Sequence, residues 1–225
     1  MKFRDVQLVN GGKYTHEKLE QNLALSYYWE NVRNLFCIYL ESDLEILGIS
    51  KLNIKLGNFD GEAYEAPEKD GIAIYKRDDF SYQNFSELSE GQKDERSLFY
   101  IQDSLTKICT NHKVPKTVID AVNASAQKVR DNNFEHERNY KKTTKWNKQK
   151  SIHAITLLHY KKGGIDATVL LKDKQGNTLQ SSKVLVNEPW ENIWHCLWQC
   201  EWADTLFVIK NRTGNTLSTV EYCNV

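Results

Sequence analysis

From Ile152 to Tyr222, apolar and polar residues alternate in stretches of five to nine, each closed by turn-forming residues. This pattern constrains the fold more than any other feature of the chain. Ile152–Tyr160 ends at Gly163-Gly164, Ile165–Leu171 at a turn carrying Gly176-Asn177, and Leu179–Val186 at Asn187-Glu188-Pro189. Thr205–Ile209 and Thr216–Tyr222 flank a turn at Asn211–Asn215. Period-two alternation places every second side chain on one face of a strand, and closely spaced turns join neighbouring strands. The last third therefore reads as an antiparallel β-meander.

One stretch inside that region supports two structures. Trp190, Trp194, Trp198 and Trp202 recur every four residues. On a helix they form a broad apolar face with Ile193 and Leu197. On a strand, Trp194, Cys196, Trp198, Cys200 and Trp202 share one side. Pro189 ahead of the stretch, Ala203-Asp204 after it and strands on both flanks favour a strand over 190–202. Aromatic packing in a core accounts for the stripe, and an exposed stacking platform is the alternative.

The middle of the chain carries helical spacing. Leu98, Ile101, Leu105 and Ile108 make a stripe that predicts a helix over 93–111. Val118, Val122, Ala126 and Val129 predict a second over 116–135 behind Pro115, and the short link makes the two an antiparallel hairpin. Nearer the start, Thr15 suits the cap of a helix from His16 toward Ser26. The segment 27–40 fits helix and strand alike, and the clear strand that follows, where Leu52, Ile54 and Leu56 alternate with Lys51, Asn53 and Lys55, tips it toward strand. Ile72–Tyr75 reads as another short strand, and 78–90 as irregular. The fold class is α+β: a mixed N-terminal part with a short hairpin, a central helix pair at 93–135 and a C-terminal antiparallel sheet. The division is into 1–150 and 151–225, or one continuous domain.

Five cysteines, an odd number at irregular spacing, and a start without an apolar export segment point to reduced thiols and a cytoplasmic setting. The longest apolar run, Leu35–Leu40, is far too short to span a bilayer. Lys+Arg and Asp+Glu are each 30, so the whole molecule has no attraction for polyanions. The distribution is uneven: residues 1–90 hold 10 cations and 16 acids, residues 91–150 hold 13 and 7.

Chemistry-bearing motifs are sparse. His195, Cys196 and Cys200 lack the second ligand pair that a structural zinc site needs, so no metal and no cofactor is expected. His153 and His159 share a face but lie too far apart on one strand to act on one atom. Glu135-His136-Glu137 is not a zincin motif, and no nucleophile elbow or phosphate-binding loop occurs. A spatially assembled Cys–His pair leaves an enzyme with an unrecognised site as a further alternative, and a non-enzyme is the favoured reading.

Two charged regions remain as candidate sites. Glu41, Asp43, Glu45, Asp60, Glu62 and Glu65 form an acidic surface suited to a protein with a basic face, with Tyr39, Phe59 or Tyr64 as nearby anchors. Lys141, Lys142, Lys145 and Trp146 lie in an acid-free stretch, 138–150, where cations and aromatics alternate as in nucleic-acid contacts. The neutral charge of the whole chain makes nucleic acid the lesser partner. The favoured function is thus a protein-binding module that acts by occlusion. Small, motif-poor α+β chains with acidic patches resemble bacterial immunity proteins in general character, a likeness that implies an inhibitor of a toxic enzyme and transfers no residue. An adaptor subunit of a larger assembly and a nucleic-acid-binding protein are the alternatives.

Overall fold

The computed structural model describes residues 1–11, 16–40, 44–57 and 59–222, with the side chains of 16–24, 26 and 27 outside that description. The chain divides into two units, Met1–Phe134 and Glu135–Val225.

Unit 1 contains β1 (Asp5–Asn10), α1 (His16–Tyr39), β2 (Lys51–Leu56), β3 (Ala63–Glu65), β4 (Ile72–Arg77), α2 (Tyr82–Ser86), α3 (Glu90–Asn111) and α4 (Lys116–Asp131). Its sheet has the order β1-β2-β4-β3. β1 pairs with β2 and β2 with β4 in parallel, while β3 and β4 form an antiparallel hairpin. One face of the sheet is buried: Val6 and Leu8, then Leu52, Ile54 and Leu56, then Ala73, Tyr75 and Arg77. The alternating lysines and Asn53 of β2 lie on the other, half-exposed face.

The strand expected over 27–40 is helix. Parallel neighbours need a crossover connection, and α1 carries the chain from the end of β1 back to the start of β2. Leu25, Trp29, Val32 and Phe36 fall at helical spacing and are buried, as is Leu35. The aromatic and β-branched content that suggests a strand belongs instead to a helix with a wide buried face. β1 itself, six residues with Val6 and Leu8 inward, carries no turn signal on its N-terminal side and was not expected.

α3 buries the expected stripe of Leu98, Ile101, Leu105 and Ile108, and α4 packs on it through Val122, Ala126 and Val129. Gln92 caps the start of α3, its side-chain oxygen accepting from the Ser89 N–H at 2.9 Å. α4 stops at Asp131, earlier than the spacing predicts, because Asn133 and Phe134 both adopt left-handed backbone that reverses the chain.

Unit 2 holds β5 (His136–Asn139), a 3₁₀ turn at Lys141–Thr143, β6 (Lys145–Trp146), β7 (His153–Lys161), β8 (Gly164–Lys172), β9 (Thr178–Glu188), a 3₁₀ turn at Trp190–Asn192, α5 (Ile193–Cys196), β10 (Gln199–Ala203), β11 (Leu206–Lys210) and β12 (Thr216–Glu221). The long strands form an antiparallel sheet ordered β5-β7-β8-β9, with β6 also on β7. β10, β11 and β12 make a separate three-stranded antiparallel meander. On β7 every second side chain from Ala154 to Tyr160 is buried, as alternation requires. Gly164 has a φ of +131°, and a Cβ there would lie 2.7 Å from the backbone of Asn187, so only glycine fits where the β7–β8 turn meets β9.

The single strand expected over 190–202 is also corrected. Four-residue spacing satisfies a helix turn and a strand alike, and the chain uses both: Trp190 and Trp194 sit in helical turns behind Pro189, and the strand begins only at Gln199. Ile193 and Leu197 are the buried residues of that stretch, and they are not the tryptophans.

Candidate functional site

Four of the six expected acidic residues are described, and they do not form one surface. Glu41 and Asp43 lie outside the described residues. Asp60 is exposed beside the β3 strand. Glu62 belongs to an internal network: it accepts from Lys107 Nζ at 2.8 and 3.0 Å and from the Tyr75 hydroxyl at 2.9 Å. Glu65 pairs with Lys76 across the hairpin, and that bond holds its carboxyl below the usual range.

The centre of the network is Arg77, 1% exposed at the end of β4. Its guanidinium donates to both carboxylate oxygens of Asp79 at 2.9 and 2.7 Å, to Asp103 at 2.6 Å and to Ser104 Oγ at 3.2 Å. It also lies over the rings of Phe99 and Tyr100, 5.4 and 5.1 Å from their centroids. Burial works against its charge, but the bonds to Asp79 and Asp103 outweigh burial and hold it firmly protonated. This constellation clamps the β4 strand to α3. Each carboxylate of the network is engaged by a cation, Asp79 by Arg77, Asp103 by Arg77 and Lys107, and Glu62 by Lys107.

The opposite end of the sheet, where β2 and β4 begin, is different. Glu45, Glu68 and Asp70 are exposed there. Three apolar side chains are exposed at the same end: Met1 at 56%, Leu47 at 40% and Ile72 at 38%. Met1 links the two loops, its amino group 3.6 Å from Glu45 and its thioether against Gly71. Leu47 stands in the turn closed by the Ile49 N–H to Ile46 carbonyl bond, with a left-handed φ of 50°. Of the expected anchors, Tyr64 packs edge-on against His112 and Phe59 lies against Gly11, so both are engaged within the unit. Tyr39 is half-buried at the end of α1. The apolar trio carries no periodic signal, which is why sequence reasoning missed it.

An open groove of about 420 Å³ runs beside α3, lined by Leu88, Gln92, Glu95, Arg96, Phe99 and Arg130. Its cations are partly engaged: Arg130 donates to Glu95 at 3.0 Å and Gln102 at 3.1 Å, and Arg96 lies over Phe99.

In unit 2 the basic stretch divides. Trp146 stacks flat on His153, ring centroids 4.4 Å apart. Lys145 occupies the neighbouring position of the two-residue strand, and its carbonyl accepts from the Trp202 indole N–H at 3.1 Å. Lys142 sits over Trp198, its ammonium 3.1 Å from the ring centroid, and Lys141 is exposed on the same 3₁₀ turn. The tryptophans are not a buried stripe. Trp194 is 49% exposed, while Trp190, Trp198 and Trp202 are half-buried. Trp190 packs on Tyr160 and Trp202 on Phe207, with centroids 4.4 and 5.3 Å apart.

Among the described residues the thiols are not poised as nucleophiles. Burial pushes Cys109 up to about 11, and burial also raises Cys196 and Cys200. His159 bonds Glu135 at 2.8 Å, and burial lowers His153. Among the described residues no group of three His, Cys, Asp or Glu side chains is arranged to hold a metal ion, and no helix is long and apolar enough to cross a membrane. No family model, no curated protein and no solved structure matches the chain.

Proposed function

We propose that the protein is a binding module whose unit 1 docks a basic protein partner at the end of the sheet where β2 and β4 begin. The observation that carries this reading is the exposed trio Met1, Leu47 and Ile72 flanked by Glu45, Glu68 and Asp70. Exposed apolar side chains on a folded scaffold supply the desolvated anchor that tight association needs, and the surrounding carboxylates steer a cationic surface and disfavour acidic ones. Unit 1 as a whole carries 17 Lys/Arg against 21 Asp/Glu, a net charge of −4, which adds to the steering. A partner covered in this way loses access to its own ligands, so the activity is occlusion, and an inhibitor of a toxic enzyme is the form it takes.

The test is affinity capture from the native cell, followed by association kinetics with the captured partner. Glu45→Lys combined with Glu68→Lys should slow association about tenfold at low salt and much less at high salt. Leu47→Ala should instead speed dissociation. A partner whose rates are unchanged by both variants binds elsewhere, and the reading fails.

A further inference from the structure

We propose that unit 2 binds single-stranded nucleic acid on the face built from Lys141, Lys142, Trp194, Trp198 and Arg212. Three chain segments far apart in sequence meet there. The turn at 211–215 docks on α5 through the Arg212 N–H, which donates to the His195 carbonyl at 2.8 Å. Arg212 then lies 5.5 Å from the Trp198 centroid and 6.0 Å from that of Trp194. Lys142 approaches Trp198 from the 3₁₀ turn, and Trp194 leans on His195 with ring centroids 4.3 Å apart while half its surface stays open to solvent. The result is two cations seated on two indoles.

The charge at this face is uncompensated. Three lysines elsewhere in unit 2 have carboxylate partners: Lys161 and Lys183 on Asp166, and Lys210 on Glu201. Among the described residues Lys141, Lys142 and Arg212 form no ion pair. Unit 2 holds 13 Lys/Arg against 9 Asp/Glu, a net charge of +4 that the neutral total conceals. A phosphate backbone complements the cations, and an exposed indole offers a stacking surface to an unpaired base. A duplex would use only the cations, and so would an acidic peptide; the open face of Trp194 selects a strand with splayed bases.

The experiment is fluorescence anisotropy of labelled oligouridylate and oligothymidylate of about 12 nucleotides, within the usual footprint of such sites. Three phosphate contacts predict a slope of log K on log salt of about −2, so affinity falls about 20-fold between 50 and 200 mM salt. Trp194→Ala should weaken binding about tenfold and Trp194→Phe much less. Lys142→Glu with Arg212→Glu should abolish binding, with the far-UV circular dichroism unchanged because both residues are exposed. Absence of binding to either probe at 50 mM salt overturns the proposal. So does competition by polyglutamate that equals that of the oligonucleotides together with indifference to Trp194→Ala, which would identify an acidic-peptide site.

Discussion

Replacing Arg77 with methionine removes the charge at the centre of the unit 1 network while keeping most of the buried volume. The wild-type guanidinium makes two bonds to Asp79, one to Asp103 and one to Ser104, and is closed off from solvent. Removing one partner of a buried ion pair costs about 3–5 kcal/mol, since the stranded carboxylates lose their counter-ion. Here the side chains of Asp79 and Asp103 are 41% and 26% exposed, so water recovers part of the loss and the figure belongs at the low end, about 3 kcal/mol. The assay is urea unfolding followed at 222 nm, a signal dominated by α1, α3 and α4, all of which lie in unit 1. With a slope of about 2 kcal/mol per molar urea, the midpoint should fall by about 1.5 M. Arg77→Lys should recover little, because an ammonium cannot reproduce the two-pronged bond to Asp79. Arg77→Met combined with Asp79→Asn and Asp103→Asn should recover more than half, because no unpaired charge is then left. A loss below about 1 kcal/mol for Arg77→Met, or a triple variant as unstable as the single one, refutes the claim that charge compensation holds β4 to α3.

Asp166 gives a pH-dependent counterpart in unit 2. It is 4% exposed, and burial opposes its charge, but the Asn187 N–H at 2.9 Å, Lys161 at 2.9 Å and Lys183 at 3.0 Å hold its carboxyl well below the usual range. A depressed folded value means that the stabilisation is fully present above the ordinary carboxylate value and is lost as pH falls below about 4; Asp166→Asn should flatten that acid limb of a thermal-melt series, and an unchanged limb would contradict the assignment. Leu105→Ala, at a fully buried site on α3, should cost about 2–5 kcal/mol by urea titration, and a loss below about 0.5 kcal/mol would show that the α3 face is not a packed core.

Elements with a strong local signature were readable from the residues alone. The β2 strand alternates cleanly, the α3 stripe is unbroken, and the meander strands are each fenced by turn residues. What the sequence did not disclose depends on contacts between distant segments. The part of α1 from residue 27 onward reads as a strand until β1 is known to lie parallel to β2. The tryptophan repeat fits two periods, and only the docking of β10 on Lys142 and Lys145 shows where the strand begins. The acidic residues looked like one surface because charge counting ignores pairing; Glu62 and Glu65 are taken up by Lys107 and Lys76, whereas the apolar side chains of Met1, Leu47 and Ile72 are isolated in sequence and meet only at the end of the sheet.

The pairing of β1 also sets the order in which the chain can assemble. Asp5 finds its register partner in Lys51, and Leu56 finds its own in Arg77, so the parallel sheet closes only after long loops have been drawn together. In unit 2, Lys161 pairs with Gly164 and Ala203 with Leu206, contacts that form across a few residues. Closure entropy rises with loop length, so hairpins of this kind nucleate early and a crossover sheet late. During synthesis β1 leaves the ribosome before β2 and must wait for it, with Val6 and Leu8 uncovered in the interval. This strand is consequently open to misassociation until β2 is made, and it ends at an edge of the sheet with only Val6 and Leu8 buried.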